Sequence, residues 1–321
     1  MQCSILTCAN SPESLHAADG GRVWARYVEQ YTGANIYNYA VSGAVCSNEI
    51  TPRYFSAINA PFPDIAGYEV PAYLADSACY YPNGTKFMND PVDSTVYAIW
   101  IGTNDLGYSA FIQDEQVAGT NITTYVDCVY NQLDRVYANG ARFFVILNVA
   151  PLNLAPEYGV PGLSGVGPNQ YWQDKSGNLS EISGRMLESV VTVNAIFDYR
   201  TPYAVKIQDR YPGADFAVYN VHDLVSRRQT HIHMDIADHS PQMQDIHDNP
   251  TEYLNGTAPL NVTGYVNHCN VTGGNCVAST SPDSFTWYDE LHPSEQVERI
   301  IALNFVDVVK GVSKWATYWS S

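Results

Sequence analysis

The sequence has few charged residues and no long apolar stretch. Charged side chains make up 15% of its 321 residues, against roughly 25% in an ordinary soluble domain. Its net charge of -17 would repel phosphate backbones and anionic lipid surfaces, so we expect neither nucleic acid nor a membrane as a partner. No apolar run approaches the ~20 residues that span a bilayer. These shortages favour a protein that binds uncharged polar ligands, for which 24 Tyr and 6 Trp side chains offer amphipathic surface.

A second shortage concerns the N-terminus, where MQCSILTCANSPES has no basic residue and too short an apolar run for a signal peptide. Other features nevertheless indicate a secretory route. N-x-S/T sequons begin at Asn83, Asn121, Asn178, Asn255, Asn261 and Asn270. The sequence therefore predicts a secreted glycoprotein in which residues 1–19 form an atypical start.

The seven cysteines suit an oxidising compartment as well. Cys269 and Cys276 flank a short NVTGGN loop that a disulfide can close. Cys46 and Cys79 form a plausible second pair. Because Cys128 lies within a helical pattern, we interpret it as a small buried hydrophobic residue.

Strand-like runs alternate with helical patterns along the chain. Apolar, β-rich runs occur at 34–41, 95–101, 142–149 and 215–221. Helical patterns occur at 122–138, 183–198 and 293–310. Dense proline and glycine predict a surface loop over 150–168. This alternation predicts a doubly wound α/β sheet, with residues 1–321 forming one domain.

Polar residues follow the strand-like runs, at the sheet edge where ligands bind in open parallel sheets. Ser42-Gly43-Ala44 follows the first run, and Gly102-Thr103-Asn104-Asp105 follows the second. Taken singly, Gly43 is consistent with simple turn chemistry. Asn104 or Asp105 is likewise consistent with a helix cap. A functional interpretation of either block needs the other.

The sharpest pattern is the pair Asp289 and His292 in WYDELHP, ahead of the last helix. At this spacing Asp289 can accept the Nδ1 hydrogen of His292 and leave Nε2 as a base. Pro293 is suited to the first helical position. A purely structural Asp–His cap is the alternative.

In this order the blocks resemble those of the SGNH/GDSL hydrolases. YNYAVSGAVCSNEITPR, IWIGTNDLG and WYDELHPSEQ are similar to the fungal acetylesterases of carbohydrate esterase family sixteen. The resemblance implies a three-layer α/β/α sandwich with a mainly parallel, nominally five-stranded sheet. It also implies that Asp289 and His292 are catalytic, and that the Gly43 backbone N–H and the Asn104 side-chain amide form the oxyanion hole. It requires no cofactor and no metal ion.

The family's first block, Gly-Asp-Ser, supplies the nucleophile and does not occur among the 321 residues. Asp76-Ser77 and Asp93-Ser94 come after the second block and follow no strand-like run. Ser4 and Ser11 lack the flanking Gly and Asp. We therefore match no nucleophile and predict that the first strand is missing or replaced, with the run SILTC at 4–8 as a candidate replacement.

The segment 225–244 is polar and rich in histidine. One interpretation is a zinc site formed by His231, His233, Asp235 and His239. Histidines at positions i and i+2 point to opposite sides of a strand, so we predict no metal site. We interpret the segment as an insertion or a retained intron, because the codons at its ends are compatible with splice signals.

The resemblance implies an ester hydrolase that deacetylates sugars or hemicellulose oligosaccharides by a Ser-His-Asp mechanism, as a secreted monomer. Without a matched nucleophile, we expect the chain to be inactive as it stands. Two alternatives stay open. One is a non-catalytic carbohydrate-binding protein with an aromatic-rich cleft, and the other is a GDSL esterase or lipase acting on longer acyl esters.

Overall fold

The computed structural model describes residues 17, 18, 20–225 and 246–321. The α-helices in these ranges are α1 (Trp24–Thr32), α2 (Val70–Ser77), α3 (Thr103–Leu106), α4 (Ile122–Ala138), α5 (Leu179–Pro202), α6 (Val221–Val225), α7 (Pro250–Tyr253) and α8 (Glu295–Val309). The strands are β1 (Tyr54–Phe55), β2 (Ala60–Pro61), β3 (Val96–Trp100), β4 (Phe143–Leu147), β5 (Asp215–Tyr219), β6 (Asn261–Tyr265), β7 (Asn267–His268), β8 (Val277–Ala278), β9 (Phe285–Trp287) and β10 (Ala316–Ser320).

The main sheet has the order β10-β5-β4-β3. Strands β3, β4 and β5 are parallel, with Val96 beside Phe143 and Phe143 beside Asp215. They lie within the strand-like runs 95–101, 142–149 and 215–221, so those predictions are confirmed. Strand β10 pairs antiparallel with β5 and was not predicted from the sequence. The result is a mixed α/β fold around a mainly parallel sheet.

Alternate residues of the central strands belong to two separate apolar clusters. Phe144 and Phe216 stack at 4.6 Å between ring centroids and join a cluster with residues of α4 and α5. Their neighbours Val145 and Ala217 join a second cluster with residues of α1 and α8. Because successive side chains of a strand point to opposite faces, the helices of these two clusters pack against different faces of the sheet.

The prediction of a strand at 34–41 is wrong. This stretch forms no strand, and no strand in the described ranges pairs with the side of β3 that faces away from β4. Ile36 and Tyr37 still pack against different clusters. The apolar pattern therefore reports packing on two sides, whereas a strand also needs a backbone partner, which a sequence pattern does not reveal.

The predicted helices are confirmed with shifted ends. Helix α4 covers 122–138, and Asn121 caps it by accepting a hydrogen bond from the Thr124 N–H at 3.1 Å. Helix α5 extends beyond 183–198 at both ends. Helix α8 is capped by Ser294, so Pro293 precedes the cap and does not occupy the first helical position.

The segment 150–168 was predicted as a surface loop, yet its first half is largely buried. Leu152 and Tyr158 are each only 2% exposed and belong to the core cluster that contains Phe144. Proline and glycine end regular structure without preventing burial, because the apolar side chains between them still pack inward. This corrects the prediction and places the segment beneath the carboxyl end of the sheet.

The disulfides confirm one prediction and correct two. Cys269 and Cys276 are bonded, as predicted. Cys46 is bonded to Cys128 on α4, not to Cys79, and Cys79 is itself half of another disulfide. Cys128 is indeed buried, and burial alone does not distinguish a free thiol from one that faces another cysteine.

Two sequence predictions lie outside the described residues. The candidate replacement strand at 4–8 is one, and nearly all of the segment 225–244, with its four histidine and aspartate candidates, is the other. Within the described ranges, no helix is long and apolar enough to cross a bilayer. No group of three or more His, Cys, Asp or Glu there is placed to hold a metal ion.

Candidate active site

A tight loop between β9 and α8 holds Asp289 and His292 together. The His292 Nδ1 lies 3.0 Å from Asp289 Oδ1 and 3.1 Å from Oδ2. The same Oδ1 accepts hydrogen bonds from the backbone N–H groups of Leu291 and His292 at 2.9 and 2.8 Å. The carboxylate therefore both closes the loop and orients the imidazole, so the capping alternative and the base–orienter pair describe one arrangement.

The two side chains differ in exposure in the way such a pair requires. The Asp289 side chain is 2% exposed and that of His292 is 26% exposed. No hydrogen-bond partner of His292 Nε2 is found in the described part of the chain. With Nδ1 bonded to Asp289, Nε2 is left at the surface and is available to accept a proton.

Tyr171 supports this pair from a distant part of the chain. Its hydroxyl donates a hydrogen bond to Asp289 Oδ2 at 2.5 Å, and its ring centroid lies 5.3 Å from that of His292. Burial opposes ionisation of Asp289, but hydrogen bonds from His292 and Tyr171 outweigh it and lower the pKa of the carboxyl. Sequence reasoning missed Tyr171 because 118 residues separate it from Asp289 and no spacing signals the contact.

The second group of site residues lies where β3 ends and α3 begins. Gly102 caps α3 with φ at 131°, and a Cβ there would lie 2.7 Å from the Tyr125 hydroxyl oxygen, so no other residue fits. Asn104 follows inside the helix and is not a cap, which corrects that alternative. Its Nδ2 donates to the carbonyl oxygen of Ala44 at 3.1 Å. The second and third sequence blocks therefore touch.

Two N–H donors remain available at this contact. Asn104 Nδ2 has one acceptor in the described ranges, Ala44 O, which leaves its second hydrogen unpaired. The Gly43 backbone N–H has no acceptor in that part of the chain either. Gly43 has φ at 95°, and a Cβ would lie 3.3 Å from Phe62 Cζ, so a side chain would be strained.

A buried carboxyl and an arginine lie behind these donors. Asp105 is fully buried, and its Oδ1 accepts hydrogen bonds from Cys46 N at 2.9 Å and from the Thr51 hydroxyl at 3.3 Å. Burial raises the pKa of Asp105 to about 7, against those hydrogen bonds and the nearby charge of Arg53. The Arg53 Nη1 donates to Asn104 Oδ1 at 2.5 Å. Sequence analysis identified neither residue as functional.

The segment 157–175 connects the two groups of site residues. Tyr108, just after α3, packs on Trp172 at 5.2 Å between ring centroids, next to the Tyr171 that bonds Asp289. The backbone N–H of Glu157 also donates to Glu290 O at 2.6 Å. The Asn104 and His292 blocks thus both contact one segment at the carboxyl ends of β3 and β4.

The same segment contributes a buried polar cluster that the sequence did not reveal. Glu157 is fully buried, and burial raises its pKa to about 7 against the opposing charge of Lys175. Lys175, 5% exposed, donates to Val166 O at 2.6 Å and to Glu157 O. Gln170 Nε2 donates to Glu290 Oε2 at 2.9 Å. This cluster ties the connecting segment to the loop that carries Asp289.

The serines that follow an aspartate in the sequence are engaged elsewhere. The Ser77 hydroxyl donates to Leu74 O at 3.0 Å and accepts from Asn139 at 2.9 Å, where α2 packs on α4. The exposed Ser94 donates to its neighbour Asp93 at 3.2 Å. Ser4 and Ser11 lie outside the described residues. In the described ranges no serine contacts His292 Nε2.

Comparisons with known proteins agree with the resemblance seen in the sequence. The family model of GDSL-like lipase/acylhydrolase matches residues 6–305. An acetylesterase from Hypocrea jecorina is 41% identical over 310 residues, covering 96% of this chain and 82% of the relative. A second acetylesterase, from Thermothelomyces thermophilus, is 27% identical over 43% of each chain. A GDSL esterase/lipase from Arabidopsis thaliana is 24% identical over 68% of this chain and 53% of the relative.

Proposed function

Because the chain belongs to the GDSL-like lipase/acylhydrolase family of carboxylic ester hydrolases, we propose that its site removes acetyl groups from sugars or hemicellulose oligosaccharides. The observation that carries the proposal is the pairing of His292 with a buried Asp289 at the sheet edge that also presents two unpaired N–H donors. A base and an oxyanion site are the two elements that acyl transfer needs besides a nucleophile.

His292 would act as the general base and acid. Its Nε2 takes the proton of the attacking hydroxyl and returns it to the leaving sugar oxygen. Asp289 holds the Nδ1 hydrogen, which fixes the tautomer and stabilises the imidazolium. The Tyr171 hydroxyl fixes the carboxylate in turn.

Gly43 and Asn104 would stabilise the tetrahedral oxyanion. Their free N–H groups belong to two segments joined by the hydrogen bond from Asn104 to Ala44, next to Gly43. Such preorganised donors act on charge that develops in the transition state, and losing one typically lowers the rate by about 10²–10³.

The nucleophile is the part of the mechanism that no described side chain supplies. We infer that the family's first strand would pair with the free edge of β3, completing a five-stranded sheet in a three-layer α/β/α fold. The serine of a Gly-Asp-Ser block would then follow that strand toward His292. Support comes from the edge position of β3 and from the absence of Gly-Asp-Ser among the 321 residues.

An uncharged sugar suits the surroundings of the site. The β1–β2 hairpin exposes Tyr54 and Phe55, and its base residue Phe62 contacts Gly43. Aromatic faces bind the apolar faces of sugars, and the net charge of -17 disfavours anionic ligands. The same exposed hairpin, with Ile58, favours the second candidate, a GDSL esterase acting on longer acyl chains.

The extracellular setting of the proposal rests on disulfides and sequons. The two disulfides within the described ranges are stable in oxidising compartments. The sequon asparagines that are exposed are Asn83, Asn121, Asn178, Asn255 and Asn270. Glycans at these positions would meet solvent, as secretion requires, and we propose that the secreted protein acts as a monomer.

The test uses a serine-bearing variant, defined as this chain with a Gly-Asp-Ser first block in place of residues 1–19 and without 225–244. We expect it to hydrolyse aryl acetate and acetylated xylo-oligosaccharides, with kcat/KM falling steeply from acetate to octanoate. A preference for octanoate would instead favour the longer-chain esterase. Binding of the oligosaccharide without any hydrolysis would favour a carbohydrate-binding protein.

A further inference from the structure

The side-chain amide of Asn104 is held from two sides. Its Oδ1 accepts from Arg53 Nη1 at 2.5 Å, and its Nδ2 donates to Ala44 O at 3.1 Å. A guanidinium only donates and a carbonyl oxygen only accepts, so the two partners fix which end of the amide is oxygen. The second Nδ2 hydrogen is thereby aimed away from both.

Arg53 is itself held rigidly. The side chain of Asn48 bonds both ends of the β1–β2 hairpin, accepting from Arg53 N at 2.8 Å and donating to Phe62 O at 2.7 Å. The Phe62 N–H donates back to Arg53 O at 2.9 Å. The guanidinium carbon lies 5.8 Å from the centroid of the Phe62 ring. The hairpin base therefore presents the guanidinium in one position.

The charge of Arg53 has no carboxylate to neutralise it directly. No acidic side chain lies within salt-bridge distance of the guanidinium in the described ranges. The nearest acidic influence is the buried Asp105, and burial lowers the pKa of Arg53 against the charges of Tyr158 and Asp105. A half-buried cation without an ion-pair partner, bonded to an amide at an anion site, is arranged to favour negative charge there.

We propose that Arg53 is the positioning residue of the oxyanion hole, fixing the Asn104 amide and polarising its free N–H toward the developing oxyanion. The inference rests on the proposed function for its catalytic meaning. The contact that it describes stands on the structure alone, so the two can fail separately.

The first test measures the amide in the full 321-residue chain and needs no activity. With ¹⁵N-asparagine labelling, the Asn104 signal is identified by its loss in Asn104→Ala. A cation on Oδ1 strengthens the double-bond character of the amide and slows its rotation. We expect Arg53→Met to speed exchange between the two Nδ2 protons by about tenfold or more, the scale of a hydrogen bond to a charged group. We expect Arg53→Lys to lie between the two.

Arg142→Met is the matched control, because Arg142 is also half-buried and lies over an aromatic ring, 4.5 Å from the Tyr137 centroid. We expect it to leave the Asn104 signal unchanged. If Arg53→Met leaves the proton exchange unchanged too, the proposal is overturned.

The second test is a double-mutant cycle on aryl acetate hydrolysis by the serine-bearing variant. We expect Arg53→Met to lower kcat by about 10- to 100-fold with KM nearly constant, because the lost interaction forms in the transition state. In an Asn104→Ala background the same substitution should have little further effect. An equal loss in both backgrounds would show that Arg53 acts independently of Asn104 and would overturn the proposal. If the serine-bearing variant shows no turnover, the proposed function fails, and the amide measurement alone decides the role of Arg53.

Discussion

The two sides of the main sheet differ in how completely they are built. Strand β4 is paired on both sides and has four buried residues, whereas no residue of the edge strand β3 is fully buried. The loop that holds Asp289 and His292 is bonded to the segment beneath the well-paired strands. The nucleophile of this family follows a strand that would lie beside β3. The base and its orienter can therefore be fully formed while the nucleophile position depends on the incomplete side.

Removing the base should have the largest effect. In the serine-bearing variant we expect His292→Ala to lower kcat by about 10⁴- to 10⁶-fold, because base and nucleophile act as one unit. The chain offers a second His–Asp pair as control, since His222 Nδ1 lies 2.9 Å from Asp223 Oδ1. His222→Ala should keep kcat within a few-fold. An equal loss in both variants would remove the distinction between the two pairs.

The tyrosine behind the base should have a smaller effect. We expect Tyr171→Phe to lower kcat about tenfold, because Asp289 loses a charge-assisted hydrogen bond that holds it toward His292. Tyr108→Phe removes an exposed hydrogen bond to Asp174 of 3.3 Å and should change kcat less than twofold. Steady-state rates on aryl acetate measure both. A Tyr171→Phe enzyme with unchanged kcat would mean that the loop alone orients the base.

Most of the architecture could be predicted from local patterns. The runs FFVIL and VYAIW are β-rich and apolar, and α4 carries its own cap and stop residues. The pair Asp289 and His292 was visible because three residues separate its members. Tyr171, Arg53 and Glu157 were not, because each reaches its partner only through tertiary packing. Strand β10 and the bond from Cys46 to Cys128 were missed for the same reason, since strand and disulfide partners are distant in sequence.

The smallest expected effect concerns stability and pH. Burial raises the pKa of Glu157 to about 7 in the folded protein, above its ordinary value of 4.5. Its contribution to stability is therefore fully present below about pH 4.5 and is lost as the pH rises through about 7. We expect the melting temperature to fall between pH 5 and 8, and Glu157→Gln to reduce that fall.

Glu188→Gln serves as the control for this measurement, because Glu188 is exposed on α5. It should leave the pH dependence of the melting temperature unchanged. A Glu157→Gln protein whose melting temperature falls as steeply as that of the parent would show that Glu157 does not contribute to the dependence.

The most direct test compares turnover of one aryl acetate by the full 321-residue chain and by the serine-bearing variant. Asp289, His292, Gly43 and Asn104 can polarise an ester, but they offer no side chain to form an acyl-enzyme. Without a triad member, an oxyanion hole and binding leave an acceleration of only about 10³–10⁴ over water. We therefore expect the full chain to show at most this residual rate and the serine-bearing variant to exceed it by at least about 100-fold. Robust turnover by the full chain that disappears on Ser11→Ala would contradict the account and identify Ser11 as the nucleophile.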